Sequence, residues 1–467
     1  MRRLVGRTPV FAGLPREVGV LAAIAFCVAL GFGIVAPAIP VFARSFGVSA
    51  FFAGAVVSAF AFVRLIAAPG AGAGVNRFGE RKVLATGLAI VAASSLAAAF
   101  SHSYLQLLLM RALGGFGSAM FTVSAMALLL RTVHPDMRGR ATGAYQSGFL
   151  LGGVAGPAVG GAVVGISIRA PFIVYAVTLA AATVVCLVWL QDPHVESEAE
   201  AEAAGEAEAE AEAEAEAEAA GVAEAEAEAE AAGEAEAEAE AVAEAGVGAG
   251  TGAAVAASGT PSTPPGEAES LPLKVALRDR AYLAALATNL SNGFAIFGLR
   301  SALVPLFVVE AMHRGPGLTG VGFLVAAAVQ ALLLVLAGRM ADRRGRRPVL
   351  LIGASASVLG MLLLALGDQV WLFLVAMGVF GIAGAFLGPG PAAVVGDVTH
   401  GRRAGTVVAV FQMVSDFGAI LGPLAAGFVL DVAGFSAAFA VGAMIMGIGL
   451  VAAVLMPETL GRSLRAP

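Results

Sequence analysis

The sequence is poor in charge. Asp, Glu, Lys and Arg make up 13% of its 467 residues, about half the share in soluble proteins. Aromatic residues are also scarce at 7%, whereas there are 60 glycines and 58% of the chain is hydrophobic. Apolar helices rich in small residues are typical of helices that pack in lipid. This composition excludes an ordinary water-soluble enzyme and predicts a membrane protein.

The residues of several common sites are missing as well. The two cysteines, Cys27 and Cys186, lie inside apolar stretches without CxxC spacing, which predicts small core residues and not a zinc site or a disulfide. The sequence has no G-x4-G-K-[ST] phosphate loop and no HExxH, and its five histidines are scattered. We therefore expect no ATP hydrolysis, no metal, no cofactor and no enzymatic activity.

Twelve apolar runs of at least 18 residues are each long enough for a transmembrane helix. The first six span residues 18–42, 51–70, 83–100, 104–130, 141–166 and 171–190. The last six span residues 281–312, 318–337, 349–366, 370–395, 404–430 and 434–456. The sequence therefore predicts an all-α, multi-pass membrane protein.

Basic residues lie mostly on one side of these runs. Of the 28 Lys and Arg residues, 22 fall at the chain ends and in alternate gaps. Cytoplasmic loops carry this excess, so we expect both termini in the cytoplasm of a cell-membrane protein. Because the basic residues sit in short gaps between apolar runs, they predict membrane topology and no nucleic-acid partner.

The segment at 192–270 separates the two sets of runs. It holds twenty glutamates between Glu196 and Glu244, with no Lys or Arg in that stretch, and then turns to Gly, Ser, Thr and Pro. Without large apolar side chains it has no means to form a core. We predict a disordered cytoplasmic linker between domains at 1–191 and 271–467; a pH-sensing or lipid-sensing role is the alternative.

The two halves repeat each other at an offset of 266 residues. Residues 72–82 match residues 338–348. The same offset relates three further matches: Gly115 with Gly381, Gln146 with Gln412, and Gly156-Pro157 with Gly422-Pro423. A repeat of this kind predicts two six-helix bundles in parallel repeat, with a cleft between them.

Four motifs resemble those of the major facilitator superfamily, and the resemblance covers the chain apart from residues 192–270. Motif A is matched from Gly338 to Arg347, and from Gly72 to Lys82 with Asn76 in place of its acid. Residues 111–117 are similar to motif B. The antiporter motif C is matched at Gly143, Gly152, Gly156, Pro157, Gly160 and Gly161, and Gly31, Pro37 and Pro40 resemble a motif of the twelve-span drug:proton antiporters.

This resemblance implies a transporter with the major facilitator fold. Motif C and the first-run motif favour export, and the family suggests amphipathic or drug-like small molecules driven by the proton gradient. We expect a monomer embedded in the bilayer. The alternatives are a proton-coupled or passive transporter of a small metabolite, and a membrane sensor that signals through its acidic linker.

Motif A implies gating of the cytoplasmic side. The residues concerned are Gly72, Asn76, Arg77, Gly79, Gly338, Asp342, Arg343, Gly345 and Arg347. A loop carboxylate at a neighbouring helix N-terminus is worth about 0.3–1 kcal/mol. Because Asn76 has no charge, we expect Asp342 to carry more of this contact. The alternative is that the arginines only set the topology.

In motif C, glycines recur every fourth residue. Gly152, Gly156 and Gly160 leave one helical face without side chains, and Pro157 removes a helix hydrogen bond. We expect this face to form a moving interface between the two halves. A static packing seam is the alternative.

Three arginines lie within apolar runs, where each costs at least about 2.5 kcal/mol unless it meets water or a partner. We expect Arg64, Arg111 and Arg300 to point into the cleft. Arg111 matches the motif B arginine, which the resemblance associates with proton transfer. For Arg64 and Arg300, a structural or snorkelling role remains open.

Proton coupling calls for a carboxylate inside the membrane, and the first six runs contain none. Asp416 lies in the middle of the run at 404–430 and is our predicted proton carrier. A structural ion pair with one of the three arginines is the alternative. Gln146 and Gln412 are predicted polar contacts in the cleft.

Overall fold

The computed structural model describes residues 13–133, 137–190, 272–388, 390–399 and 405–460. The linker predicted at 192–270 lies outside the described residues. The disorder predicted for it and its role as a boundary between domains therefore stay predictions.

The first half is helical throughout its apolar runs. Its helices are α1 (Arg16–Val35), α2 (Ala38–Arg44), α3 (Ala50–Phe78), α4 (Glu80–Ala99), α5 (Tyr104–Thr132), α6 (Arg138–Ile166) and α7 (Ala170–Trp189). The run predicted at 18–42 is divided between α1 and α2, because Pro37 has no N–H for a helical hydrogen bond.

The second half repeats this pattern. Its helices are α8 (Leu273–Ala276), α9 (Arg280–Asn292), α10 (Arg300–Leu306), α11 (Gly317–Arg344), α12 (Arg346–Leu366), α13 (Val370–Leu387), α14 (Gly390–Thr399) and α15 (Gly405–Leu455). Two π-helical segments, Gly293–Leu299 and Phe307–Ala311, interrupt the run that contains α9 and α10. Such bulges occur preferentially at functional sites.

Ten helical segments among the described residues are long and apolar enough to cross a membrane. One of them, Thr406–Leu455, contains the last two predicted runs, which Gly434 divides with its non-helical backbone (φ 81°). Helix α6 matches the fifth predicted run but is not among the ten. The all-helical membrane fold is confirmed, and the number of twelve crossings stays a prediction.

Each half has its own hydrophobic core. Ile24, Leu88 and Phe172 are buried in the first half, and Phe380 and Phe439 are buried in the second. Large apolar side chains also remain exposed on the outside, among them Leu332 at 79%, Ile166 at 82% and Leu366 at 77%. Such a surface would be unfavourable in water and is expected where helices face lipid.

Glycines with positive φ make the tight connections of the two matched loops. Gly79 (φ 84°) separates α3 from α4, and Gly345 (φ 107°) separates α11 from α12. An L side chain rarely adopts this backbone conformation. The motif A glycine is therefore explained by chain geometry in both halves.

Candidate functional site

The predicted proton carrier lies between the two halves. Arg64 on α3 donates from Nη2 to Oδ1 of Asp416 on α15, and the two side chains are 33% and 28% exposed. Two residues 352 positions apart in sequence thus form an ion pair across the bundle interface. Arg64 thus reaches the second half, and the contact corresponds to the structural ion pair given above as the alternative for Asp416.

Helices α3 and α15 pack closely around this pair. The Ser58 hydroxyl donates to the Ile420 carbonyl oxygen at 2.7 Å. A Cβ on Gly54 would collide with the Pro423 carbonyl oxygen, and a Cβ on Gly427 would lie 2.6 Å from Cα of Phe51. The interface between the halves therefore depends on glycines at this crossing.

At the end of the crossing away from the motif A loops, Asp431 caps α3. Its two carboxylate oxygens accept hydrogen bonds from the backbone N–H groups of Ala50 and Phe51, each at 2.9 Å. A carboxylate at this position satisfies free N–H groups and interacts favourably with the helix dipole. The start of a helix in one half is thus held by an acid of the other.

A second ion pair joins the halves at the same end. Arg44 donates from Nε and Nη2 to the two oxygens of Glu310, at 2.6 and 3.1 Å. The two residues are 266 positions apart, so they occupy the same position in the two repeats. In the sequence, Glu310 and Asp431 lie at or next to the ends of apolar runs, and the repeat offset relates Glu310 to Arg44.

Arg111 is buried inside the first bundle, whereas the sequence predicts that it points into the cleft. Its side chain is 2% exposed inside the first bundle, with its guanidinium carbon 4.5 Å from the centre of the Phe60 ring. Its Nε is buried and has no hydrogen-bond acceptor in the part of the chain that the structure describes. The cation–π contact is favourable when desolvated, and it explains how a charge is held within the bundle.

Arg300 has a similar environment in the second bundle. Its guanidinium carbon lies 5.5 Å from the ring centre of Phe323 and 5.7 Å from that of Phe380. Its Nε is also buried without an acceptor. Arg300 directly follows the first π-helical segment, and its aromatic contacts are within its own half and not across the cleft.

Three glycines of motif C pack within the first bundle, as a static packing seam would, whereas the sequence predicts an interface between the halves for this face. A Cβ on Gly152 would lie 2.7 Å from the Leu30 nitrogen, and a Cβ on Gly156 would lie 2.8 Å from Cα of Gly33. Both contacts are with α1, as is that of Gly160. A Cβ on Gly143 would have nothing within 4 Å among the described residues. Pro157 and Gly161 lie in α6, and their burial is not among the described features.

The first-run motif is buried. A Cβ on Gly31 would collide with Tyr175 and Thr178 of α7. Pro37 and Pro40 are buried at the junction of α1 and α2. These residues set the packing and direction of the first helix.

In the first half, motif A residues lie mostly at the surface. Asn76 and Arg77 are exposed, and the Arg77 guanidinium lies 5.3 Å from the centre of the Phe78 ring. Gly72, like Gly338 in the second half, has nothing within 4 Å of a Cβ placed there.

In the second half, Asp342 lies four residues before the start of α12 and pairs with a side chain there. Its side chain is 75% exposed and accepts a hydrogen bond from Arg346 at 2.8 Å. The carboxylate that caps a helix is that of Glu458, which accepts from the backbone N–H groups of Arg346 and Arg347 at 2.8 and 3.1 Å. Sequence reasoning missed Glu458, because 111 residues separate it from Arg347. Arg343 is exposed.

Two ion pairs at matched positions of the repeats have opposite polarity: the acid comes first in the sequence in one pair and second in the other. Glu80 accepts from Arg131 at 2.6 Å in the first half, and Arg346 donates to Asp397 at 3.0 Å in the second. Each pair spans 51 residues, and the two pairs are related by the repeat offset of 266. The repeat keeps an ion pair here while inverting which helix carries the acid.

The two matched glutamines are both exposed. Gln412 lies four residues before Asp416 in α15, so the two residues share a helical face. Gln146 occupies the matched position in α6.

Comparison with known proteins decides the family. The sequence profile described as Major Facilitator Superfamily matches residues 21–329 and 286–466. The chain belongs to the Major Facilitator Superfamily. Membership of this superfamily confirms the family resemblance and the fold that the four motifs imply.

Two bacterial resistance proteins match parts of the chain. Quinolone resistance protein NorA of Staphylococcus aureus is 27% identical over 169 residues, which are 36% of this chain and 43% of NorA. Multidrug resistance protein 2 of Bacillus subtilis (strain 168) is 32% identical over 147 residues, which are 32% of this chain and 37% of that protein. The matches thus span less than half the length of these curated relatives.

Solved structures share the fold at low identity. A bacterial homologue of the human lysosomal transporter Spinster, in an inward-facing and unoccupied conformation, has a TM-score of 0.61 and 15% identity, covering 94% of each chain. The nucleoside transporter NupG has a TM-score of 0.63 and 13% identity, covering 97% of this chain and 100% of its own. Both support the major facilitator fold.

Proposed function

We propose that this protein exports small amphipathic or drug-like molecules across the cell membrane in exchange for protons, by alternating access between its two bundles. The observation that carries the proposal is the ion pair of Arg64 and Asp416 across the bundle interface. A carboxylate inside the membrane can gain and lose a proton, and here its charge contributes to the contact between the halves.

Protonation of Asp416 would weaken that contact. It removes the negative charge that Arg64 binds, and a hydrogen bond to a charged group is worth about 1.5–3 kcal/mol. A change of this size shifts an equilibrium between two conformations about tenfold or more. The glycine contacts at Gly54 and Gly427 do not depend on charge, so the proton biases the interface without removing it.

The contacts of Arg44 with Glu310 and of Asp431 with α3 would close the extracellular side. They lie at the end of the bundles away from the motif A loops, which the excess of basic residues assigns to the cytoplasm. Opening to the outside would require both contacts to separate. In this proposal the termini and residues 192–270 are cytoplasmic.

The names of the two relatives support a drug-like cargo, since they refer to quinolone and multidrug resistance. The match to motif C supports export. The proton gradient is the proposed energy source, without a bound cofactor, and a single chain is the proposed working unit.

The test is transport by the purified chain in proteoliposomes. We expect an imposed pH gradient to drive accumulation of a fluorescent quinolone, accompanied by proton movement in the opposite direction. Asp416→Asn should abolish the pH-driven accumulation while leaving passive exchange. Asp368→Asn, a matched change at an exposed loop acid, should behave like the wild type.

The outcomes separate the candidates. Preserved proton coupling in Asp416→Asn would remove this residue from the mechanism. Transport of a small metabolite without response to the pH gradient would favour a passive transporter, as the lack of acids in the first six runs suggests. Transport that persists after deletion of residues 197–245 would support a transporter, whereas the absence of transport by the full chain would favour a membrane sensor that signals through its acidic linker.

A further inference from the structure

A cationic cavity of about 530 Å³ lies at the ends of three helices of the second half. It is lined by Arg278, Asp279, Arg280, Arg347 and residues 454–457. These residues belong to the start of α9, the start of α12 and the end of α15. None belongs to the interface of α3 and α15, so the cavity is separate from the proposed transport site.

The charge of the cavity favours an anion. Arg278 and Arg280 are exposed, and Nε of Arg347 is buried with no acceptor among the described residues. The Arg347 Nη2 donates to the Val454 carbonyl oxygen at 2.6 Å, which fixes its guanidinium at the cavity wall. Guanidinium groups bind phosphate oxygens in a bidentate manner, so three of them around one cavity suit a phosphate group.

The nearby carboxylates are already engaged by backbone groups. Asp279 accepts from the N–H of Ala281 at 2.7 Å as the cap of α9. Glu458 accepts from the N–H groups of Arg346 and Arg347. Both acids are thereby tied to helix starts, and the other charged side chains that line the cavity are basic.

The cavity also adjoins apolar surface. Leu455 lines it and is 73% exposed, and Val454 is 47% exposed. Leu283, one turn into α9, is 45% exposed, and Leu277, next to Arg278, is 40% exposed. In a membrane protein such side chains face acyl chains, so the occupant should have an anionic head and an apolar tail.

We propose that this cavity binds the phosphate headgroup of an anionic phospholipid, with the acyl chains along Leu283 and Leu455. Basic pockets between transmembrane helices are suited to such headgroups. The acidic stretch from Glu196 to Glu244 would also satisfy the charge, but it offers only Glu and small side chains to the apolar wall. Free phosphate would leave that wall unused.

The test measures lipid binding by the full chain in neutral detergent, by native mass spectrometry and by thermal stabilisation. Phosphatidylglycerol, phosphatidylcholine with the same acyl chains, and inorganic phosphate are compared. We expect preferential binding of phosphatidylglycerol. Each basic residue near an anionic lipid contributes about 1 kcal/mol, so Arg278→Gln with Arg280→Gln should weaken this binding about 30-fold.

Two further variants keep the result interpretable. Arg16→Gln, at an exposed arginine at the start of α1, should bind as the wild type does. Arg278→Lys with Arg280→Lys keeps the charges and should retain most of the binding, which separates lost charge from misfolding. Transport is not measured, so a failure of the proposed export function would leave this result intact.

Four results would overturn the proposal. These are equal binding of phosphatidylcholine, unchanged binding of phosphatidylglycerol by the double glutamine variant, complete competition by inorganic phosphate, and binding that appears only after deletion of residues 197–245. The last result would assign the cavity to the acidic segment of this chain.

Discussion

The ion pair of Glu80 and Arg131 should respond unequally to the loss of its two partners. The Glu80 side chain is 2% exposed and that of Arg131 is 46% exposed, with 2.6 Å between Oε1 and Nη1. Arg131→Gln leaves a buried carboxylate without this counter-charge. Glu80→Gln leaves a guanidinium that already reaches the surface. We therefore expect Arg131→Gln to destabilise the protein more.

The burial of each group gives the size of the effect. Removing one partner of a buried pair costs about 3–5 kcal/mol, whereas an exposed pair contributes about 0–1 kcal/mol. The loss on Arg131→Gln should be near the lower end of the first range, about 3 kcal/mol, because half of the pair is exposed. Glu80→Gln should cost about 1 kcal/mol, including the favourable position of Glu80 in the first turn of α4.

The assay is denaturant unfolding of the purified protein in mixed micelles, with the transition midpoint compared at equal slope. The double variant Glu80→Gln with Arg131→Gln should lie near Glu80→Gln alone, because no carboxylate is left buried. Glu80→Arg with Arg131→Asp copies the polarity of Arg346 and Asp397 at the matched positions. It should be more stable than Arg131→Asp alone.

Equal losses for the two single variants would refute this reasoning, and so would additive losses in the double variant. Either result would mean that the burial of Glu80 does not determine what the pair contributes. The second-half pair offers a control, since Arg346 and Asp397 are 14% and 23% exposed. Its two single variants should differ less from each other.

Three other changes test the contacts between and within the halves. Gly54→Ala should reduce transport, because the added Cβ would collide with the backbone of α15. Gly70→Ala is the control and should transport normally, because a Cβ placed there has nothing within 4 Å. Uptake assays compare the two variants. Arg44→Glu should favour the outward-open state, because it breaks the bidentate ion pair with Glu310 and places two acids together. Adding Glu310→Arg should restore an ion pair and reverse the shift. Cysteine accessibility measures the population of the outward-open state. Glu458→Gln should lower the free energy of unfolding by about 1 kcal/mol, measured by denaturant unfolding, since it replaces a charged helix cap by a neutral one.

Composition and spacing alone determined the class of this protein. Few charges and long apolar runs leave helices as the structure that satisfies backbone groups in lipid. The offset of 266 predicted the repeat, and the same offset relates the bundle-joining pair of Arg44 and Glu310. The motif A glycines were predictable at Gly79 and Gly345, because only a residue without a side chain adopts positive φ readily.

The partner of each charged or small residue was decided by the tertiary structure. Asp416 forms its ion pair with Arg64 and not with Arg111. The motif C glycines Gly152, Gly156 and Gly160 contact α1 of their own half. The carboxylate that caps the start of α12 is that of Glu458 and not that of Asp342. Periodicity shows which residues share a helical face. It does not show which neighbour that face meets, because in a membrane lipid and protein are equally apolar surroundings. Helix orientation then depends on close packing and on a few polar pairs between residues hundreds of positions apart.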